Sequence, residues 1–90
     1  MYKLLIERRA LNFLEALEKE KKHYVQVVSK LISLIKNPYP NDSKKIKGEK
    51  MSFFRVDVGE FRIIYLVETD TIKIVLIGKR NDDEIYKMLV

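Results

Sequence analysis

Residues 53–80 read FFRVDVGEFRIIYLVETDTIKIVLIGKR, which is three apolar runs rich in β-branched and aromatic side chains. Gly59-Glu60 separates the first run from the second, and Glu68-Thr69-Asp70 separates the second from the third. Gly followed by any residue is typical of a two-residue type II′ hairpin, because glycine readily adopts the positive φ of the first turn position. The pattern therefore predicts an antiparallel three-stranded meander.

A two-residue loop at Gly59-Glu60 fixes the register of the first hairpin, with Val58 opposite Phe61 and Asp57 opposite Arg62. Side chains alternate along a strand, so each face of the sheet receives every second residue. One face is apolar and is expected to belong to the core: Phe54, Val56, Val58, Phe61, Ile63 and Tyr65. The other face carries two arginines and an aspartate among apolar residues: Phe53, Arg55, Asp57, Arg62, Ile64 and Leu66.

The third strand is expected to add a further arginine to that second face. A three-residue loop at Glu68-Thr69-Asp70 pairs Val67 with Thr71. The residues that then share a face with Arg62 are Ile72, Ile74, Leu76, Gly78 and Arg80. Three guanidinium groups, from Arg55, Arg62 and Arg80, are therefore predicted to converge on one side of the sheet.

Length and composition limit the possible classes of protein. Ninety residues are predicted to form one domain, spanning 1–90, with a single core. The absence of Cys excludes disulfides, a zinc ribbon and a thiol nucleophile, and suits a cytoplasmic location. The net charge of +5 fits a polyanionic or acidic partner. The longest N-terminal apolar run, Leu4-Leu5-Ile6, falls short of a signal peptide or membrane span, so no membrane partner is expected.

The N-terminal half is predicted to contain a strand, Tyr2 to Ile6, followed by helix. Apolar residues recur at helical spacing in two stripes, the first Ala10, Leu11, Phe13, Leu14 and Leu17 and the second Tyr24, Val25, Val28, Leu31, Ile32 and Ile35. The polar segment 18–23 contains no Gly or Pro, so one continuous helix remains an alternative. That helix would be about 45 Å long, however, in a domain with an expected radius of gyration of about 12 Å. A helical hairpin turning near 19–22 and packing on the Phe54 face is therefore favoured.

Turn-forming residues at 37–43 are predicted to connect the second helix to a basic loop, residues 44–50. A short last helix is expected from Asp83 to Leu89. With the first strand joining the meander, the expected fold is an α+β domain: a four-stranded sheet, a helical hairpin and a C-terminal helix.

Four segments carry a resemblance to a known family. They are Lys45-Ile46-Lys47-Gly48, Phe54-Arg55-Val56, Gly59-Glu60-Phe61-Arg62-Ile63-Ile64-Tyr65, and Gly78-Lys79-Arg80 with Glu84-Ile85-Tyr86. In these segments the chain resembles the RelE toxins of the RelE/ParE toxin–antitoxin superfamily. The resemblance extends over nearly the whole length and implies the same fold.

The resemblance also implies an activity, endonucleolytic cleavage of messenger RNA in the ribosomal A site, with no metal and no cofactor. Carried over by position, the catalytic residues are Arg55, Arg62, Arg80 and Tyr86. The family has a basic residue where this chain has Asp57, and another where it has Asp82. Asp57, opposite Arg62, is expected to orient that guanidinium or to neutralise it.

The chemistry of these residue types is compatible with that activity. Attack of a ribose 2′-hydroxyl on the adjacent phosphate builds up negative charge, and a guanidinium fork matches two phosphate oxygens at once. A cation beside Tyr86 would favour its ionised form, which makes it a candidate general base, and its ring could alternatively stack on an unpaired base. The basic residues expected to hold mRNA or ribosomal RNA are Lys44, Lys45, Lys47, Lys50 and Lys79.

Two other functions remain open from the sequence. One is a ParE-like inhibitor of DNA gyrase, which shares the fold without the nuclease residues. The other is a catalytically degenerate module that only binds an antitoxin. Each toxin reading implies a cognate antitoxin protein, and the apolar residues on the arginine side of the sheet would suit such a partner: Ile64, Leu66, Ile72 and Ile74.

Overall fold

The computed structural model describes residues 1–47 and 52–80. The elements follow one another as β1 (Lys3–Ile6), α1 (Arg8–Leu17), α2 (Lys21–Lys36), β2 (Lys44–Lys45), β3 (Phe53–Val58), β4 (Phe61–Val67) and β5 (Thr71–Lys79). The predicted last helix lies outside the described residues, and so do Lys50, Asp82 and Tyr86. The α+β class predicted from the sequence is confirmed.

The five strands form one sheet in the order β1-β5-β4-β3-β2. β1 runs parallel to β5, and the other neighbours are antiparallel. The prediction of four strands was too low, because Lys44 and Lys45, assigned to a loop, pair with Arg55 and Phe54. A strand of two residues is too short to leave an alternating pattern in the sequence, so only its position beside β3 reveals it.

The hairpin joining β3 and β4 has the predicted register, with Val58 opposite Phe61 and Asp57 opposite Arg62. Gly59 has a φ of 56°, which is the only positive φ among the described residues. A single positive φ at the first turn position is the pattern of a type II′ turn. The tight turn thus holds Asp57 and Arg62 directly across from each other.

The hairpin joining β4 and β5 differs from the prediction. Val67 pairs with Ile72 rather than with Thr71, and the backbone N–H of Glu68 donates to the carbonyl of Thr71 at 2.8 Å. The loop is therefore one residue shorter than predicted. A slip of one residue moves side chains to the opposite face. Ile72 and Ile74 accordingly lie in the main core, both fully buried, and not beside the arginines.

A β-bulge in β5 reverses this change further along the strand. Tyr65 pairs with Ile74 and Ile64 pairs with Leu76, so Val75 has no partner of its own. One extra residue shifts the alternation of side chains by one position. From Leu76 onward β5 therefore returns to the predicted alternation, which brings Gly78 opposite Arg62.

The helical hairpin is confirmed, because α1 ends at Leu17 and α2 begins at Lys21. The second apolar stripe was partly wrong. Val25 and Ile32 are 59% and 52% exposed, whereas α2 buries Val27, Leu31 and Leu34. Apolar residues cover two adjacent sides of this helix, and helical spacing alone does not decide which side meets the sheet.

Both helices pack on one side of the sheet, which we call the helix face. The main core combines helix residues Ala10, Leu14, Leu17, Val27, Leu31 and Leu34 with strand residues Val56, Phe61, Ile63, Tyr65, Ile72, Ile74 and Ile77. The opposite side, which we call the arginine face, has its own buried cluster: Phe53, Ile64, Leu66, Val75 and Leu76. Among residues 1–47 and 52–80, no helix combines the length and apolar character needed to cross a bilayer.

The connector after α2 is fastened to the core through Tyr65. Its hydroxyl donates to the carbonyl oxygen of Pro38 at 2.8 Å, and both residues are buried. Burial raises the pKa of the Tyr65 phenol above its usual value. Tyr65 is thus a core residue, as predicted.

Candidate functional site

Asp57 and Arg62 form a two-pronged ion pair across the β3–β4 hairpin. Nε of Arg62 donates to Oδ1 of Asp57 at 2.7 Å, and Nη2 donates to Oδ2 at 3.2 Å. Paired donors of this kind fix both side chains in one plane. The hydrogen bonds from Arg62 are the main reason that the pKa of Asp57 lies below its usual value, although partial burial acts in the opposite direction.

Arg80 reaches the same carboxylate from the end of β5. Its Nε lies 3.5 Å from Oδ2 of Asp57, and its Nη1 donates to the carbonyl oxygen of Gly59 at 3.4 Å. Its backbone N–H donates to the carbonyl of Glu60 at 2.9 Å. The tight turn and Asp57 together hold Arg80 beside Arg62, while about half of the Arg80 side chain, 51%, remains exposed.

Arg55 completes a group that we call the arginine cluster: Arg55, Arg62 and Arg80 around Asp57. Arg55 precedes Asp57 by two positions in β3, so both side chains leave the same face. The positive charges of all three arginines contribute to the lowered pKa of Asp57. Three cations surround one carboxylate, which leaves the cluster with an excess of two positive charges.

The predicted convergence of the three arginines therefore holds in the structure, for a reason the sequence did not indicate. The β4–β5 loop is one residue shorter than expected, and the bulge at Val75 compensates for it. Had only one of these irregularities occurred, Arg80 would lie on the helix face. The position of Arg80 thus depends on a backbone irregularity 5 residues before it in the sequence.

The four described lysines among those predicted to bind RNA lie in different places. The register places Lys44 on the arginine face beside Arg55, and Lys45 on the other side of the sheet. Lys47 is exposed after β2. Lys79 pairs with Phe61 and lines a pocket on the helix face, so it does not join the arginine cluster.

Sequence analysis did not identify that pocket, which lies between α1, α2 and the β3–β4 turn. Its lining includes His23, whose Nδ1 lies 3.1 Å from Oε1 of Glu20. The His23 ring also packs edge-on against Phe61, with 5.2 Å between ring centroids. The i, i+3 spacing of Glu20 and His23 was the available signal, but both residues lie in the polar segment 18–23, where no apolar pattern indicates a pocket.

The site offers cations and hydrogen-bond donors rather than metal ligands. Within the described parts of the chain, no group of three or more His, Asp or Glu side chains could hold a metal ion. Guanidinium groups fixed around one point are suited to bind a phosphate, because each presents several N–H donors in a planar fork. An incoming phosphate would compete with the Asp57 carboxylate for the same donors.

Comparison with known proteins identifies relatives. The family described as the ParE toxin of the type II toxin–antitoxin system parDE matches residues 4–84. A chain of the archaeal RelE–RelB complex from Pyrococcus horikoshii is 27% identical, with 89% of this chain and 96% of that chain covered and a TM-score of 0.75. No curated protein matches this sequence.

Two further solved structures share the fold. The YoeB dimer from Staphylococcus aureus is 19% identical, covers 90% of this chain and 98% of its own, and has a TM-score of 0.75. The isolated RelE toxin of Escherichia coli is 20% identical, covers 99% of this chain and 95% of its own, and has a TM-score of 0.75. The family match extends over most of the sequence. The chain therefore belongs to the ParE toxin family, within the RelE/ParE superfamily of type II toxin–antitoxin toxins.

Proposed function

We propose that this toxin is an endoribonuclease that cleaves messenger RNA in the ribosomal A site. The observation that carries the proposal is the arginine cluster, in which Arg62 and Arg80 share one carboxylate and Arg55 lies on the same face. Gyrase inhibition would not require such a concentration of guanidinium groups around one point.

The proposed reaction is an internal transesterification of RNA. The 2′-hydroxyl oxygen of one nucleotide attacks the adjacent phosphorus and loses its proton, and the bond to the 5′-oxygen of the next nucleotide breaks as that oxygen gains a proton. The products are a 2′,3′-cyclic phosphate and a 5′-hydroxyl. The phosphorane that forms on the way carries extra negative charge, and each fixed donor beside it is worth roughly 10²–10³ in rate.

We assign to Arg62 and Arg80 the role of stabilising that negative charge, since both guanidinium groups already hold an anion, the Asp57 carboxylate, between them. Arg55 and Lys44, neighbours on the same face, are assigned to the flanking phosphates. Tyr86 remains the proposed general base, on the family pattern alone.

The remaining basic residues extend the proposed RNA-binding surface. Lys45 and Lys47 lie in or after the edge strand β2, where they would contact ribosomal RNA, and Lys50 is assigned the same role. Lys79, on the helix face, is the predicted RNA-binding residue that this geometry supports least.

A cognate antitoxin is the proposed protein partner. The relatives include chains solved in complex with RelB in Pyrococcus horikoshii and with YefM in Staphylococcus aureus. The four apolar residues expected to form the contact surface are all buried, Ile72 and Ile74 in the main core and Ile64 and Leu66 in the cluster of the arginine face, so that part of the prediction was wrong.

The decisive experiment is primer extension on a translated message after induction of the toxin, and on the same message in vitro with and without ribosomes. We expect new 5′ ends only where ribosomes are present, and growth arrest that Arg62→Ala or Arg80→Ala relieves. Arg8→Ala, a change of an exposed arginine in α1, is the matched control and should leave arrest unchanged. If the Arg62→Ala toxin produced the same new 5′ ends as the wild-type toxin, the proposal would be contradicted.

A second candidate is inhibition of DNA gyrase, and one observation favours it: the family that matches residues 4–84 is that of the ParE toxins. Asp57, which neutralises one guanidinium, is also consistent with a chain that has lost nuclease activity. Growth arrest with intact messages and induced DNA damage would select this function, and absence of any arrest would select an antitoxin-binding module.

A further inference from the structure

The pocket on the helix face is a separate feature from the arginine cluster. It has a volume of about 230 Å³ and an apolar floor formed by side chains of α1 and β4: Phe13, Ala16, Leu17 and Phe61. Phe13 and Phe61 meet edge to face, with 5.9 Å between their ring centroids. Phe61 and Leu17 are buried, so the floor is part of the folded core and is formed in advance of any ligand.

The rim of the pocket carries charges of both signs. Glu20, His23, Glu60 and Lys79 complete its lining. Glu20 is already engaged with His23 at 3.1 Å. Within the described part of the chain, by contrast, neither Glu60 nor Lys79 forms an ion pair within 4.0 Å. An apolar floor thus lies beneath one carboxylate and one ammonium.

The backbone places Glu60 and Lys79 at the same end of the sheet. Lys79 pairs with Phe61, which directly follows Glu60 in the sequence. The next residue of β5, Arg80, bonds through its backbone N–H to the carbonyl of Glu60 at 2.9 Å. Glu60 and Lys79 therefore both lie at the end of the β4–β5 ladder, where both contribute to the pocket lining.

We propose that this pocket binds a free hydrophobic α-amino acid as a zwitterion. The apolar side chain occupies the floor between Phe13 and Phe61, the α-ammonium group pairs with Glu60, and the α-carboxylate pairs with Lys79. The volume supports a ligand of this size, because pockets for drug-sized molecules are larger, about 300–1,000 Å³. The proposal does not depend on the proposed nuclease activity, which is assigned to the opposite face of the sheet.

The sequence contains a single histidine, so the ring protons of His23 provide a resolved NMR signal inside the pocket. Titration at constant pH compares four probes: L-phenylalanine, phenethylamine without the carboxylate, 3-phenylpropionate without the ammonium, and uncharged benzyl alcohol. We expect L-phenylalanine to shift the His23 signals saturably with a millimolar dissociation constant. Each exposed ion pair is worth about threefold in affinity, so the single-charge probes should bind about threefold more weakly.

Two variants assign the charges to residues. In Glu60→Gln, L-phenylalanine and phenethylamine should each bind about threefold more weakly, while 3-phenylpropionate is unaffected. In Lys79→Gln, L-phenylalanine and 3-phenylpropionate should bind more weakly, while the affinity for phenethylamine is unaffected. Glu15→Gln and Lys36→Gln, which change exposed residues outside the pocket lining, are the matched controls and should leave all four affinities unchanged.

Both substituted side chains are exposed, so the fold is expected to persist, and the same spectra verify it. The proposal is overturned if L-phenylalanine causes no saturable shift up to about 50 mM. It is also overturned if all four probes bind alike, since that would indicate apolar contact without charge recognition. If both variants lowered the affinity for every probe equally, the assignment of the ammonium to Glu60 and of the carboxylate to Lys79 would be overturned.

Discussion

Asp57 accepts hydrogen bonds from Arg62 at 2.7 and 3.2 Å and lies 3.5 Å from Nε of Arg80. At the scale of single residues, the charge available to a phosphate therefore depends on this carboxylate. It holds the guanidinium groups in place, and it also occupies donors that an RNA phosphate would use. Because the Arg62 side chain is only 15% exposed, its direction is fixed by the hairpin as well as by Asp57.

We expect Asp57→Asn to raise the affinity for single-stranded RNA by about fivefold, because removing one negative charge raises the net positive charge of the arginine cluster. Fluorescence anisotropy with a labelled oligoribonucleotide measures the effect, which should diminish as salt is added. Asp42→Asn is the matched control, since Asp42 also pairs with a cation, Lys30, at 2.9 Å. If Asp57→Asn instead lost affinity, orientation of Arg62 by Asp57 would matter more than competition between Asp57 and the RNA phosphates.

Asp57 also makes stability depend on pH. Its pKa in the folded protein is lowered, chiefly by the hydrogen bonds from Arg62. A carboxyl group of this kind stabilises the fold above its unfolded pKa of about 3.9, and the contribution is lost as pH falls through the folded pKa. The melting temperature of the wild type should therefore fall more steeply below about pH 4 than that of Asp57→Asn. If the melting temperatures of the two proteins fell equally steeply with pH across this range, the prediction would be contradicted.

At the scale of elements, the β3–β4 hairpin positions the arginine cluster through its turn. Sequence alone predicted this register because Gly59-Glu60 is a strong turn signal and the flanking residues alternate. The β4–β5 register was not predictable in the same way, since the segment Glu68-Thr69-Asp70 fits loops of different length. The bulge at Val75 left no signal either, because neighbouring positions are all apolar and either face would accept them.

Gly59→Ala should destabilise the protein by about 1–2 kcal/mol, because a residue with a Cβ is strained at a φ of 56°. The added Cβ would also approach Oε1 of Gln26 to 3.1 Å, a contact that the flexible glutamine can relieve. Urea unfolding measures the change. Thr69→Ala, in the turn of the next hairpin, is the control and should lie within about 0.5 kcal/mol of wild type. Equal stability of Gly59→Ala and wild type would contradict the assigned turn.

At the scale of the whole molecule, the layer of helices on the sheet is the feature to test. Leu31→Ala should cost about 2–5 kcal/mol, because Leu31 is 2% exposed and its truncation leaves a cavity. Ile32→Ala, at the next position but 52% exposed, should change stability by at most about 0.5 kcal/mol. Thermal unfolding distinguishes them, since 1 kcal/mol corresponds to about 4–8 °C in a domain of this size. Similar losses in both variants would contradict the observed orientation of α2.

The α+β class, the helical hairpin and the shared face of Arg55 and Arg62 followed from periodicity and turn chemistry, whereas the position of Arg80 also depends on the shorter β4–β5 loop and the bulge at Val75. Other features depend on long-range packing that short sequence windows do not contain. The orientation of α2 is one example, since Val25 and Val27 are equally apolar but only Val27 is buried. The pocket at Glu60 and Lys79 is another, because α1, α2 and the sheet create it jointly.

The parallel pairing of β1 with β5 joins Lys3 to Thr71, residues from opposite ends of the described chain. During synthesis β1 leaves the ribosome well before β5, so it has no neighbour in the sheet until Thr71–Lys79 has emerged. Closing so long a loop is slow relative to forming the helical hairpin. The sheet of a nascent chain is therefore completed last at its β1 edge, after the helical hairpin has formed.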